Sequence, residues 1–388
     1  MKIITVNIVK RTVVVLCFFA PLQLLSAEAI NQADTNAQEL NRQQERQRLL
    51  RQQQEIKPDV REAAERLKDP TNMVTDQIPE SETPCFTIHD IELVGDSAGQ
   101  FQFALDTVLA NARAANQPIL GRCLGAVGIN AVMARVQHAI IAKGYVTTRV
   151  LVTPQDLKSG VLQLTIIPGR LGSVRFTPDS SKRISAWNVV PTNSGDILNL
   201  RDIEQSLENF KRVPTAEADI QIQPTEVDTT QTIAPKPGLS DLAIRYQQRF
   251  PFRMSLNLDD SGVNSTGKYQ GGVTLSADNL LSLSDLFYIN YNHDLGGGDP
   301  GKRGNESHSA HYSVPYKNWL FSTNASHSTF YQTVAGTNQS YVFSGISQQG
   351  DVKVTRLLYR DQINKTFISL KGFLRKSSNY IDDTEIEV

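Results

Sequence analysis

An α+β front half followed by an all-β ladder is the fold class this sequence predicts. Three observations carry it: a short apolar export signal, a twice-repeated order of strand, helix region, strand, strand, and a change of character after Phe250. From Phe252 onward the chain runs as segments of about ten residues with alternating polarity, separated by Gly, Asp, Asn and Ser turns.

The first element is the signal. Lys2, Lys10 and Arg11 precede the apolar stretch from Val13 to Ala20, and small residues follow at Ser26, Ala27 and Ala29. A charged start, a short apolar centre and a small-residue cleavage site make residues 1–29 a secretory signal peptide, cut after Ala27 or Ala29. An N-terminal membrane helix fits less well, because Pro21 and Gln23 interrupt a stretch too short to span. No later segment offers ~20 consecutive apolar residues, so insertion into a membrane must use strands.

Net charge is −1 with 20% charged residues, which argues against a nucleic-acid binder. Cys17 lies in the signal, leaving Cys85 and Cys123. In an exported chain these most simply form one disulfide; two free thiols are the alternative. Cys-x-x-Cys spacing is absent, so neither zinc nor redox chemistry is suggested.

Residues 30–70 are rich in Gln, Arg, Glu, Asn and Ala, with Leu40, Leu49, Leu50 and Ile56 scattered among them. Helix propensity is good, but the apolar stripe is too narrow for a core helix, which leaves a solvated helix or a tether. Residues 71–84 carry Pro79 and Pro84 without periodicity and read as a linker.

The first module, 85–169, opens with a strand over Thr87–Val94. A helix is predicted over Ile129–Lys143, where apolar residues keep helical spacing and Gly144 supplies a stop. Strands at Val146–Val152 and Val161–Ile167 complete it. The second module, 170–250, repeats the order with a strand at Leu171–Phe176, an amphipathic helix at Leu200–Val213, and strands at Ala218–Gln223 and Leu239–Tyr246. Each module can bury one helical layer against one face of a small sheet.

In the ladder, 251–388, Phe252, Met254, Leu256 and Leu258 alternate with Arg253, Ser255, Asn257 and Asp259. Phe287, Ile289 and Tyr291 alternate with Tyr288, Asn290 and Asn292. Period two shows one face to an apolar medium and the other to a polar one. Such strands fit an antiparallel transmembrane β-barrel with lipid outside and water inside. A soluble sandwich needs an apolar two-sheet core that this Ser/Asn-rich segment is too polar to fill. About eight strands are expected after Phe252, with a ninth starting near Tyr380.

No catalytic constellation stands out, and no cofactor or metal is expected. Gly296 to Lys302 has part of the spacing of a phosphate loop, but Arg303 stands where Ser or Thr holds magnesium and Pro300 removes an amide. A hairpin loop explains it. His308 and His311 fall on opposite faces of a strand. Asp259 and Asp260, beside Gly262, read as a turn rather than an acid/base pair.

Several stretches then line up in order. They are Pro84-Cys85-Phe86, Arg122-Cys123-Leu124, and Gly144-Tyr145-Val146-Thr147-Thr148-Arg149-Val150 with Gln155-Asp156-Leu157. Further on come Leu258-Asp259-Asp260-Ser261-Gly262, the run from His311 to Tyr316, and the run from Tyr380 to Glu387. Together they resemble the transporters of two-partner secretion, the TpsB or hemolysin secretion/activation proteins, including those that serve contact-dependent inhibition toxins. The resemblance implies two tandem POTRA modules of βααββ form in the periplasm and the N-terminal part of an outer-membrane barrel. It implies no enzyme activity. The implied client is an unfolded TpsA-like exoprotein (a hemolysin, adhesin or contact-dependent inhibition toxin), recognised through its N-terminal secretion domain and passed through the pore. Outer-membrane lipid and the barrel-assembly machinery are the other implied partners. A periplasmic interaction or barrel-assembly protein of the same superfamily is the alternative function.

Against the family pattern, a Val-Arg-Gly-Tyr/Phe tetrad on a loop in the lumen is missing; the nearest string is Lys302-Arg303-Gly304-Asn305. The family's barrel is similar to a sixteen-strand pore, so this chain reads as an incomplete form with roughly half a barrel. Unpaired backbone at both edges in lipid costs several kcal/mol per group, so the chain alone is not expected to be a working pore. The polar segment of residues 30–70 suits a water-filled lumen and is expected to act as a removable plug. With no catalytic residues, function must lie in binding surfaces. The candidate client-binding edges are the strands just after each helix, marked by Thr147, Arg149 and Leu151 in the first module and by Asp219, Gln221 and Gln223 in the second. Extended clients are caught by adding a strand to such an edge. The alternative is that both strands merely complete their sheets.

Overall fold

The computed structural model describes residues 78–225, 238–336 and 339–386, together with Thr35, Gln38, Arg42, Arg46 and Leu50, which are helical and exposed. The signal peptide, residues 51–77 and the rest of the polar segment lie outside the described residues.

The first module comprises β1 (Phe86–Thr87), β2 (Asp90–Gly95), α1 (Gln102–Ala114), β3 (Cys123–Leu124), α2 (Ala126–Ala142), β4 (Arg149–Leu151) and β5 (Val161–Ile167). Its three-stranded sheet runs β2-β5-β4, with β2 parallel and β4 antiparallel to the central β5. The single opening strand of the sequence reading is two strands. Ile88 N–H bonds Arg122 O, whereas the N–H groups of His89 and Asp90 both bond Gly160 O, so the backbone changes partners between β1 and β2. On β5, Leu162, Leu164 and Ile166 are buried at period two. They meet Ile129, Val132, Val136 and Ile140 of α2 and Phe101, Leu105 and Val108 around α1. The buried face of α1 includes Ala104 and Ala112, small residues that weaken its amphipathic signal in the sequence.

Cys85 and Cys123 are bonded, with Cα atoms 5.3 Å apart, inside the usual range. The bridge sits beside the β1–β3 pair, where Thr87 faces Cys123. Closing a loop of 38 residues stabilises the fold by roughly 4 kcal/mol in the chain-entropy view.

Helix α2 starts at Gly125, which has no side chain to cap it. The carboxylate of Glu82 does so from a distance, accepting from Gly125 N at 2.6 Å, Val127 N at 2.8 Å and Gly128 N at 3.0 Å. The clamp needs glycine: a Cβ on Gly125 would lie 2.7 Å from Pro84 O. Desolvation pushes the Glu82 carboxyl up, but the N–H groups of Gly125, Gly128 and Val127 outweigh it and hold the pKa below 4.5.

The second module comprises β6 (Arg170–Phe176), α3 (Leu200–Lys211), β7 (Ala216–Pro224) and β8 (Leu239–Gln248), in sheet order β6-β8-β7. Among the described residues it has one helix where the βααββ form has two. Residues 177–199 contain Pro178, Pro191, Gly195 and several Ser and Asn residues, and they run as turns and bends. Val189, Val190 and Leu198 from this segment fill the core beside Ile203, Leu207 and Phe210 of α3.

The modules abut without a linker. The C-terminus of α2 meets the N-terminus of α3: Leu200 N bonds Gly144 O at 2.8 Å, and Asn199 Nδ2 bonds Lys143 O at 3.2 Å. The same Asn199 caps α3 by accepting from Arg201 N at 2.8 Å. Gly144 has φ +95, and a Cβ there would lie 2.3 Å from Asn199 Oδ1.

The ladder is one antiparallel sheet in sequence order: β9 (Phe252–Asp259), β10 (Gln270–Asp278), β11 (Leu286–Asp294), β12 (Arg303–Tyr316), β13 (Trp319–Ala335), β14 (Ser340–Arg360), β15 (Lys365–Ile381) and β16 (Thr384–Ile386). That is one strand fewer than the sequence count, and Tyr380 belongs to β15. The miscount has a plain cause, since β13, β14 and β15 run to 17, 21 and 17 residues. One face carries exposed Phe252, Met254, Leu256 and Leu258, at 54% to 79% exposure. The other buries Thr274, Asp278, Asn290 and Ser313. His308 is exposed and His311 buried, on opposite faces as period two requires.

Replacing Glu82 with Gln is expected to lower the thermal midpoint of the first module at neutral pH. A carboxylate with a depressed pKa stabilises fully above its ordinary value of 4.5 and loses that contribution as pH falls through the lowered value. The gap between variant and wild type in scanning fluorimetry should therefore hold down to the ordinary value of 4.5 and close as pH falls below it. A gap independent of pH rules out the ionic clamp.

Candidate functional site: sheet edges and the module–ladder junction

The structure treats the two candidate edges differently. In the first module β4 is an edge strand of only three residues, and Thr147 lies in the turn before it. Two of the backbone groups at this edge are already used. Val150 N donates to Gln137 Oε1 at 2.8 Å, and Gln137 Nε2 donates to Thr148 O at 2.8 Å. Beyond Leu151, Gln155 takes the place of a strand: Gln163 N donates to its Oε1 at 2.7 Å and its Nε2 donates to Gln163 O at 2.8 Å. Arg149 and Leu151 are exposed, but two glutamine amides close the edge they stand on. The sequence hides this, because Gln137 looks like any polar position on α2.

In the second module β7 runs nine residues and pairs with β8 on one side among the described residues. Its register assigns the backbone. Thr225 N bonds Leu239 O and Arg249 N bonds Thr215 O, so odd-numbered positions between them form the hydrogen-bonded pairs with β8. Asp219, Gln221 and Gln223 therefore spend their N–H groups on β8. The groups facing outward belong to Ala218, Ile220 and Ile222. The side chains of Gln221 and Gln223 are exposed on the solvent face, with Asp219 half-buried between them and the core.

The second module is pinned to one end of the ladder through buried polar contacts that the sequence reading did not find. Arg212, at the end of α3, donates to Ser284 O at 3.1 Å, Ser313 O at 3.2 Å and Ser313 Oγ at 2.8 Å. Desolvation lowers its pKa to about 10, although Asp285, Tyr312 and Asp278 pull it the other way, and it stays charged at neutral pH. Asp278, fully buried, accepts from Thr215 Oγ1 at 2.8 Å and from Arg253 Nη2 at 3.0 Å. Arg360, at the end of β14, reaches Glu204 Oε2 at 3.0 Å, Gln205 Oε1 at 3.0 Å and Glu208 Oε2 at 2.8 Å on α3. Lys365 of the neighbouring strand adds Glu208 Oε2 at 2.6 Å. Where the first module, the start of α3 and the β14–β15 turn meet, a cleft of about 740 Å³ opens between Phe103, Tyr145, Leu358 and Ile363. Among the described residues no group of His, Cys, Asp and Glu could hold a metal ion. Asp259 serves a turn, accepting from Ser261 N at 3.1 Å.

Two small α+β modules locked to the rim of an amphipathic antiparallel sheet now meet three family matches in order. Residues 86–169 match the POTRA domain of ShlB type, residues 170–224 a POTRA domain, and residues 238–388 the family described as haemolysin secretion/activation protein ShlB/FhaC/HecB. The chain belongs to the haemolysin secretion/activation family. It is 35% identical over 322 residues to outer membrane transporter CdiB-2 of Burkholderia pseudomallei (strain 1026b), covering 79% of this chain and 52% of the relative. It is 29% identical over 380 residues to outer membrane transporter CdiB of Dickeya dadantii (strain 3937), covering 97% of this chain and 62% of the relative. Among solved structures, CdiB from Escherichia coli superimposes with a TM-score of 0.72 at 27% identity, over 91% of this chain and 61% of that one. CdiB from Acinetobacter baumannii gives 0.72 at 26% identity, over 95% and 65%. The chain thus spans between half and two-thirds of the length of these haemolysin-family relatives. Its POTRA modules are periplasmic and its sheet belongs to the outer membrane.

Arg360→Ala removes the cross-element partner of buried Glu204, which keeps Arg201 of its own helix, and the lost charged hydrogen bonds cost about 2 kcal/mol. The junction should then open about thirtyfold more often, and trypsin should release the POTRA modules correspondingly faster by cutting at exposed Arg249. An unchanged cleavage rate shows that the ion pairs do not hold the junction.

Proposed function

We propose that this chain supplies the POTRA modules and the leading strands of a two-partner secretion transporter. In this reading an unfolded exoprotein of the hemolysin, adhesin or contact-dependent inhibition type docks through its N-terminal secretion domain on β7 of the second module. It then passes along the polar inner face of the barrel. The observation that carries the reading is the nine-residue β7, unpaired on one side among the described residues and held by α3 against the barrel rim. An extended segment added there gains main-chain hydrogen bonds from Ala218, Ile220 and Ile222, while Gln221 and Gln223 offer side-chain contacts on the exposed face. The first module, with its edge closed by Gln137 and Gln155, positions the second rather than binding by strand addition.

Ile222→Pro removes one outward N–H near the end of β7, where the side chain is only half-buried. The folded variant, checked by circular dichroism, is expected to bind the client's N-terminal secretion domain about tenfold more weakly, as for the loss of one or two ladder bonds. Gln221→Pro instead strikes the β7–β8 ladder and should unfold the module. Unchanged client affinity in folded Ile222→Pro overturns the assignment of the edge.

The polar segment ahead of the modules fits the lumen as a removable plug, because Gln, Arg and Glu suit a water-filled pore. In a version carrying a closed barrel, deletion of residues 31–56 should raise conductance in planar bilayers. Equal conductance before and after the deletion refutes the plug.

A further inference from the structure

The outer face of the sheet carries a feature that neither the client nor the POTRA modules use. Strand register places Ile289, Ala310, Ala325, Gly350 and Leu374 side by side in one row across β11 to β15. The three central residues are small, and a Cβ built on Gly350 meets nothing within 4 Å. The row is therefore a trough walled by Ile289 on one side and Leu374 on the other, part of a depression of about 720 Å³.

The next row is polar: Tyr291, His308, His327, Gln348 and Lys376. The Tyr291 and His308 rings lie 4.9 Å apart, and His308 and His327 6.4 Å apart. Glu306 holds the His308 Nε2 at 3.0 Å. The Gln348 amide lies 3.4 Å from His327 Nδ1, and as the donor it leaves the ring proton on Nε2. Lys376 adds a fixed positive charge at the end of the row.

Depth in the bilayer explains the order of these rows. Trp319, with Arg356 stacked over it at 4.9 Å, marks the periplasmic end of the lipid face. His327 stands eight residues further along β13, roughly 26 Å at strand rise and about 20 Å in height once a barrel tilt is allowed for. That matches the height of an apolar barrel band, so the His/Gln/Lys row lies at the outer head-group level with the trough just beneath it.

We propose that this depression is a binding site for one acyl lipid with a phosphate-bearing head group from the outer leaflet. The acyl chain fills the Ala310–Ala325–Gly350 trough, and the phosphate takes the charge of Lys376 and a hydrogen bond from His327 Nε2, with the His308 ring beside it. The proposal rests on the outer-membrane placement of this face and is independent of client capture at β7, so a failure at Ile222 leaves it standing.

The test uses the chain purified in detergent, with dimyristoyl phosphatidate and dimyristoyl phosphatidylcholine as probes, which share chains and differ in head group. Native mass spectrometry should show about a tenfold preference for phosphatidate. Lys376→Gln combined with His327→Gln should abolish the preference, and Ala325→Leu should reduce adducts of both lipids. Heat-modifiable gel migration checks folding. A second measurement needs no variant: carbethoxylation of His308 and His327 in the wild-type chain should fall when phosphatidate is added and stay constant with phosphatidylcholine, with His138 in the first module as reference. Equal adducts for the two lipids, or equal carbethoxylation with both, overturns the site and leaves only unselective lipid contact.

Discussion

A guanidinium buried between a periplasmic module and the rim of a membrane sheet sets the geometry of the whole molecule. Arg212 closes α3 and, among the described residues, is held not by a carboxylate but by the carbonyls of Ser284 and Ser313 and by one hydroxyl. Carbonyls at fixed positions in a turn and a strand read distance and angle more strictly than a flexible acid does. Desolvating the cation is costly, and only a docked rim supplies all three acceptors together. Around it, Asp278 ties Thr215 to Arg253, and Arg360 ties the end of β14 to α3. The second POTRA module is thereby set against the ladder in one register, and everything the modules can do happens at a fixed place beside the lumen.

The two modules look alike in sequence but differ where binding is concerned. The first ends its sheet in a three-residue strand whose outward groups are capped by side-chain amides. The second ends in nine residues with alternate backbone groups directed outward. Exposed strand edges invite unwanted pairing, and of the two module edges only that of β7 is left long and open among the described residues.

Legibility in the sequence follows the range of the interactions. Period two exposed β5 and the ladder faces, and helical spacing exposed α2 and α3, because each signal is repeated every few residues. The bridge of Cys85 and Cys123 was readable from export and cysteine count. Three features were not readable. The break between β1 and β2 is a change of hydrogen-bond partner at Ile88–His89. The closed edge of β4 depends on Gln137, and the junction depends on Arg212 and Arg360. Each rests on one polar group meeting a partner set by tertiary placement, and a single contact leaves no period. The missing helix of the second module was written locally, in Pro178 and Pro191, but the internal repeat argued the other way.

Continuity between α2 and α3 has a mechanical consequence. Gly144 and Asn199 join the end of one helix to the start of the next, and Pro168-Gly169 alone separates β5 from β6. Only three residues, Arg249, Phe250 and Pro251, lie between β8 and β9. A pull exerted on the first module therefore meets no slack before the rim of the ladder. The periplasmic part is a stiff lever, and the work done on it is delivered to the leading strands of the ladder.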